Sequence, residues 1–265
     1  MKKLLSRCIK AVCILVLLLT SLLYFNQEKL IFFPQKLDKE YQYSFDMNFE
    51  EINVESEDDK NLNGLLFTVE NSKGLVFYLH GNAGSLTNCG EVAKTFNKLN
   101  YDIFMLDYRG FGKSEGEINS QQQLFTDVQI AYNLLLKRYP EKQVIVLGYS
   151  IGTGLATHLA STNNPKLLLL QAPYFSLTDM MKRRYRYLPT VLLKYKFPTN
   201  ELIVACRMPI VLFHGTEDKV IPYESSLMLQ KVIKSSDQLI TLKGEGHNSI
   251  NSNSEFITEL ARILN

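Results

Sequence analysis

The amino-acid sequence predicts an α/β protein built on a doubly wound, mostly parallel sheet. Short apolar runs without alternation recur at 75–80 (LVFYLH), 103–107 (IFMLD), 144–148 (VIVLG), 167–170 (LLLL) and 210–213 (IVLF). Such runs suit strands buried on both faces, as in a parallel sheet covered by helices. Helical stretches alternate with them, at 88–99, 121–138, 151–162 and 224–234. Two leading strands, 45–54 and 62–69, are joined by an acidic turn at 55–60, and a last strand at 238–242 precedes a final helix at 254–264. This βαβ rhythm is the pattern of a doubly wound sheet. One stretch breaks it. Residues 172–208 are too long for a turn between two sheet strands and read as a short helical cap.

A chain of 265 residues holds one large α/β domain and a short appendage. The net charge of +2 gives no global field that would recruit nucleic acid. Positive charge is uneven: Lys2, Lys3, Arg7 and Lys10 crowd the start, and Lys182, Arg183, Arg184 and Arg186 form a knot in the cap. That knot suits either an anionic partner or a solvated helix face. The four cysteines form no disulfide framework and no metal-ligand spacing, with only a Cys89–Cys206 bridge left open.

Residues 11–25 (AVCILVLLLTSLLYF) form an uncharged apolar run behind four basic residues. A secretory signal has that layout. No small-x-small cleavage site follows the run, because residues 23–27 are all bulky. Leu4, Leu5 and Ile9 can lengthen the helix while Arg7 and Lys10 snorkel to the headgroups. The expectation is an uncleaved membrane anchor over 1–29, followed by the α/β domain over 30–265, with its cap at 172–208. The basic flank would keep the N-terminus cytoplasmic and place that domain on the other side of the membrane.

The strand at 144–148 runs into Gly148-Tyr149-Ser150-Ile151-Gly152, and a helix follows at once. A nucleophilic serine needs this context. It must sit on a strained strand-to-helix turn, with flanking glycines removing Cβ atoms that would collide. A serine hydroxyl also needs a base. Of the four histidines, His247 lies in a glycine-rich loop after the last strand, Gly244-Glu245-Gly246-His247-Asn248. His80 and His214 end buried strands and suit loop support, and His158 lies in the helix leading away from Ser150. His247 is therefore the expected base. Asp218, just past the strand at 210–213, is the expected carboxylate, with Asp179 and Glu217 as rivals. For the oxyanion, the loop His80-Gly81-Asn82-Ala83-Gly84 offers main-chain donors. Asn82 is the first choice, Ala83 the near alternative, and Ile151, after the nucleophile, the second donor.

These residues resemble the α/β-hydrolase superfamily, and most its membrane-anchored branch, which includes acyl-protein thioesterases and serine aminopeptidase-like proteins. The matching pieces are LIFFP (30–34), HGNAG (80–84), DYRGFGKSEG (107–116), GYSIGTG (148–154), HGTEDKVIP (214–222) and GEGHN (244–248). The resemblance implies an eight-stranded sheet and hydrolysis of esters, thioesters or amides without a cofactor. It also implies that Asp107 and Arg109 hold structure. The cap departs from the large lids of lipases. Its Met180, Met181, Tyr185, Tyr187, Leu188 and Leu192 would form an apolar acyl slot, with Met181 and Tyr185 as substrate contacts. The expected partners are thus a small or acylated substrate and a membrane.

Three other readings are open. A peptidase of the serine aminopeptidase type would use the same triad. A metal hydrolase would need histidines at zinc-motif spacing, which the four do not show, and would leave Ser150 unexplained. A non-catalytic scaffold on this fold would be expected to lack a triad member, and none is missing.

Overall fold

The computed structural model describes residues 2–186 and 189–265. Eight strands form one sheet: β1 (Phe49–Glu55), β2 (Asn61–Phe67), β3 (Leu75–Leu79), β4 (Asp102–Leu106), β5 (Val144–Tyr149), β6 (Leu167–Gln171), β7 (Ile210–Gly215) and β8 (Gln238–Leu242). Their spatial order is β1-β2-β4-β3-β5-β6-β7-β8. β2 pairs antiparallel with β1 and β4, and every other pairing is parallel. The helices are α1 (Lys2–Phe25), α2 (Gln27–Ile31), α3 (Gly90–Asn97), α4 (Gln121–Leu135), α5 (Gly152–Thr162), α6 (Leu177–Arg184), α7 (Thr199–Leu202), α8 (Glu224–Gln230) and α9 (Ser254–Leu264).

The continuous apolar runs have the predicted cause. Along β3, Leu75, Phe77 and Leu79 enter one core while Val76 and Tyr78 enter the other. Helices α4, α5 and α8 cover the first face, and α3 and α9 cover the second. Each face is therefore dry, so neither can alternate with polar residues. The helix starts follow from capping: Ser120, Ser176 and Asn253 accept from the N–H groups of Gln123, Asp179 and Phe256.

Several elements begin or end a few residues from where periodicity predicts, and two show why. β1 starts at Phe49 and not at residue 45, because Phe45 leaves the strand line and packs edge-on against Phe49 and Phe67. α8 stops at Gln230, and Asp237 holds the following turn by accepting from the Lys234 N–H at 3.0 Å. Cys89 and Cys206 are buried and unpaired. They lie in the two different cores, on opposite faces of the sheet, so the bridge left open by sequence does not form.

The cap region, 172–208, holds α6, α7 and single 3₁₀ turns at Thr190–Leu192 and Ile203–Ala205. Tyr187 and Leu188 lie outside the described residues. At the other end of the chain, α1 has 24 residues, none buried, and a mean hydropathy of 2.4 across its apolar window. At 1.5 Å per residue it is about 36 Å long, against about 30 Å of bilayer hydrocarbon. It is long and apolar enough to cross a membrane, and a signal sequence has the same character.

α2 clips the end of α1 to the cap. The buried Gln27 side chain donates to the Leu192 carbonyl at 2.5 Å and accepts from the Lys194 N–H at 2.9 Å. Glu28 accepts from Lys194 Nζ and the Tyr195 hydroxyl. The chain then runs under the loop after β3. Phe33–Pro34 pairs in parallel with Ala83–Gly84.

Candidate active site

Ser150 follows β5 directly, Asp218 follows β7, and the His247 loop follows β8. All three stand at the carboxyl ends of parallel strands, where doubly wound sheets gather their loops. The turn at Ser150 is strained: its φ is +53°, a left-handed conformation that a serine rarely takes. The backbone holds it there. Ser150 N–H donates to the Gln171 carbonyl at 3.0 Å, and the Ser150 carbonyl accepts from both the N–H and the hydroxyl of Thr153. The flanking glycines are sterically required. A Cβ at Gly152 would stand 2.1 Å from the Leu79 carbonyl oxygen, and one at Gly148 2.6 Å from that of Gly152.

His247 bridges the other two residues. Its Nδ1–H donates to Asp218 Oδ2 at 2.6 Å, and its Nε2 lies 3.0 Å from Ser150 Oγ. The carboxylate on Nδ1 assigns the proton there and leaves Nε2 to accept from the serine. Ser150 and Asp218 are buried.

Asp218 is held from two sides. Its Oδ1 accepts from the Val220 and Ile221 N–H groups, each at 2.8 Å. Its Oδ2 accepts from His247 and faces His214 Nε2 at 3.2 Å. Burial alone would raise its pKa. The hydrogen bonds from His214, His247 and Ile221 outweigh that and hold the carboxyl well below the usual carboxylate range. His214 Nε2 also faces the Ile221 carbonyl at 3.0 Å, so both neighbours of that nitrogen are acceptors. The proton therefore sits on Nε2, and Nδ1 accepts from the Ser226 hydroxyl at 2.7 Å.

Of the two expected oxyanion donors, Asn82 lines the same cavity as Ser150, and Ile151 follows Ser150 directly in the chain. Among the described residues no acceptor engages the main-chain N–H of either. The Asn82 peptide is fixed by the N-terminal segment: its carbonyl accepts from Phe33 N–H and its side-chain Nδ2 donates to the Ile31 carbonyl, both at 2.8 Å.

The cavity at Ser150 has a volume of about 340 Å³. His247, Asn82, Leu86, Cys89, Val92 and Tyr149 are among its walls. Burial pushes the Cys89 thiol up to about 12, so it stays protonated. Burial, with the charge of Asp218, likewise pushes Tyr149 up to about 12. Its hydroxyl donates to the His247 carbonyl and lies within reach of Asn248 Oδ1, each at 3.1 Å, so one proton is shared between two groups of the histidine loop.

Met181 and Tyr185 are not in that cavity. They line a separate one of about 740 Å³, between the cap and α1–α2. These expected substrate contacts lie apart from Ser150 because α2 clips the cap to the N-terminal segment, and of the described residues only Val220 lines both cavities. The remaining candidates are engaged elsewhere. Asp179 is tied to Arg183 at 2.6 Å on α6. His158 stacks on Phe125 with ring centroids 3.6 Å apart. His80 Nε2 faces Asp107 Oδ1 at 3.4 Å, beneath the loop that carries Asn82. Arg109 is clamped bidentately by the buried Asp127 and by Asp58.

Sequence reasoning missed the roles of Tyr149 and His214 and left open where residues 30–34 go. Tyr149 occupies the first variable position of the G-x-S-x-G turn, and His214 stands four residues before Asp218, at the end of β7. Neither carries a recognisable signal: the Tyr149 contacts reach a loop about a hundred residues away, and the His214 contact depends on how the turn after β7 folds back.

Residues 70–204, just over half the chain, match the sequence pattern described as serine aminopeptidase, S33. An uncharacterized protein of Mycobacterium tuberculosis is 28% identical over 250 residues, covering 91% of this chain and 89% of the relative. The α/β hydrolase domain-containing protein 17B of Xenopus tropicalis is 29% identical over 201 residues, covering 73% of this chain and 67% of the relative. Among solved structures, the Pyrococcus furiosus esterase Pf2001 superposes with a TM-score of 0.71 at 19% identity, covering 88% of this chain and 97% of the esterase. The α/β hydrolase GrgF of Penicillium superposes with a TM-score of 0.67 at 17% identity, covering 82% and 98%. The chain is an α/β hydrolase and belongs to the serine aminopeptidase S33 family.

Proposed function

We propose that this hydrolase is a serine esterase or thioesterase, working through Ser150, His247 and Asp218 and an acyl-enzyme intermediate. The observation that carries the reading is the unbroken chain from Asp218 through His247 to Ser150, at 2.6 and 3.0 Å. His247 Nε2 takes the Ser150 proton as Oγ attacks the acyl carbonyl. Asp218 stabilises the imidazolium that forms. The N–H groups of Asn82 and Ile151 receive the oxyanion. His247 then returns the proton to the leaving group, and water repeats the sequence to release the acid.

The aminopeptidase reading is less well supported by the cavity. An aminopeptidase must hold a substrate ammonium, which calls for a carboxylate near the nucleophile. Among the described residues that line the Ser150 cavity there is no Asp or Glu. An acyl substrate needs no such group.

In this proposal α1 is retained as a signal anchor, residues 30–265 form the catalytic domain, and that domain lies on the non-cytoplasmic side. The basic residues at the start of α1, Lys2, Lys3, Arg7 and Lys10, support the orientation. The test is a fluorophosphonate probe followed by a p-nitrophenyl ester series and an aminoacyl-amide series. Labelling at Ser150 with ester turnover supports the reading. Absence of labelling, or turnover of the amides alone, overturns it.

A further inference from the structure

The triad chemistry leaves one neighbour of Ser150 without a role. Tyr149 is the last residue of β5, and its main chain is set by pairing with Gln171 on β6. Its side chain therefore starts from a rigid strand end, and it touches two separate loops. On one side, a Cβ at Gly81 would lie 3.3 Å from two of its ring carbons, so the ring lies against the backbone of the loop that carries Asn82. On the other, the ring sits beside the His247 imidazole, with centroids 5.3 Å apart. There the hydroxyl reaches the His247 carbonyl and Asn248 Oδ1. Among the described residues this is the one hydrogen bond on the main chain of His247.

We propose that Tyr149 is the positioning residue of the catalytic base, linking the His247 loop to the loop that carries Asn82. The proposal rests on the serine-hydrolase reading and adds a residue to its machinery. The physical argument concerns loop freedom. His247 sits in a stretch with glycines at 244 and 246, and Gly244 has a φ of +72°. Glu245 secures the flanks of that stretch by accepting from Gly246 N–H and Asn253 Nδ2. The main chain of His247 itself is left to the tyrosine hydroxyl. Small displacements of reacting groups cost rate steeply, so tying this carbonyl keeps Nε2 at 3.0 Å from Ser150 Oγ. A tyrosine suits the place. Phenylalanine would supply the ring against Gly81 without a donor, and serine a donor too short to reach across. Burial and the charge of Asp218 keep the phenol protonated through the neutral range, so the donor is always present.

The test compares Tyr149→Phe, which keeps the ring, with Tyr149→Leu, which loses ring and hydroxyl, in the full chain in detergent micelles. On p-nitrophenyl butyrate, Tyr149→Phe should lower kcat by roughly threefold to tenfold, the range that one hydrogen bond spans, with KM unchanged. Tyr149→Leu should lower kcat further. In a His247→Ala background, Tyr149→Phe should change the residual rate by less than about twofold, because the hydroxyl then has no base to hold. The Nδ1 proton of His247, bonded to Asp218 at 2.6 Å, should give a far-downfield proton resonance in the wild type. Tyr149→Phe should weaken that line through faster exchange with water. An unchanged kcat, a change confined to KM, an equal loss in the His247→Ala background, or an unaltered resonance would overturn the proposal. If the wild-type chain takes no fluorophosphonate and turns over no ester, the hydrolase reading fails by itself, while the resonance still decides whether Tyr149 holds His247.

Discussion

The main-chain N–H of Phe33 donates to the carbonyl of Asn82 at 2.8 Å, which ties the segment after α2 to the loop that carries the proposed oxyanion donor. The Asn82 side chain returns the contact by donating to the Ile31 carbonyl. An oxyanion donor works only if it is aimed before the charge develops. The N-terminal segment therefore helps hold this loop, and of its apolar run Phe32 is buried while Leu30 and Phe33 stay exposed.

Breaking that tie should lower turnover more than binding. Asn82→Ala removes the bond to Ile31, and Phe33→Pro removes the donor to Asn82. Each should reduce kcat by roughly tenfold, below the 10²–10³-fold cost of losing an oxyanion donor outright. KM on a short ester should change little. A loss confined to KM would show that the segment shapes the cavity and does not aim the donor.

Asp218→Asn should cripple turnover by about 10⁴-fold, because the amide no longer selects the Nδ1–H tautomer of His247. Asp179→Asn should do far less. Its carboxylate is spent on Arg183 within α6. Single-turnover kinetics of the two variants decide between them, and a greater loss with Asp179→Asn would place the acid after β6.

His214 should act through Asp218. His214→Phe keeps much of the volume and removes one of the hydrogen bonds on Oδ2. We expect a several-fold fall in kcat and a lower Tm. The Asp218 pKa is depressed in the folded state, so its stabilising contribution is present above the unfolded carboxylate value of about 3.9. It is lost as pH falls through the lower, folded value. The Tm gap between wild type and His214→Phe should thus be constant from about pH 5 to 8 and narrow below about pH 4. A gap that widens in acid would contradict this sign.

The buried Arg109–Asp127 pair predicts a stability effect without a direct catalytic one. Arg109 donates to both carboxylate oxygens of Asp127, at 2.6 and 2.9 Å, and both side chains are almost fully buried. Arg109→Ala strands the carboxylate and should cost about 3–5 kcal/mol. For a chain of this size that is a fall in Tm of roughly 10 °C. Arg109→Ala with Asp127→Leu should recover much of it. Calorimetry on the two variants checks the claim.

The sheet was legible because its signal is local. Uniform apolar runs such as 144–148 report burial on both faces wherever they occur. Ser150, Asp218 and His247 were legible because each sits at a strand end, within a short motif that glycine makes recognisable. What was not legible depends on contacts between distant segments. Met181 and Tyr185 carry the right chemistry for an acyl slot, yet nothing in 172–208 says that Gln27 draws the cap toward α1. Likewise, His214 reads as a strand-end histidine until the Asp218 loop folds back over it.

That clip between Gln27 and the cap bears on the last prediction, that α1 stays in the mature protein. Processing just after Phe25 would leave Gln27 near a new, charged N-terminus. Gln27 is buried, and its side chain bonds both the Leu192 carbonyl and the Lys194 N–H. A free ammonium one or two residues away would have to be accommodated beside Lys194, which already neighbours the Tyr24 ring at 5.0 Å. An intact helix avoids this and holds its apolar residues in lipid. About fifteen buried apolar side chains outweigh the small cost of any mismatch in length, which is fractions of a kcal/mol per Å. Membranes should therefore be extracted with alkaline carbonate and the N-terminus of the retained protein sequenced. Retention with residues 2–25 present is the expected result. Release into the supernatant, or a mature N-terminus beyond Phe25, would show that the segment is an export signal and that the clip forms after its removal.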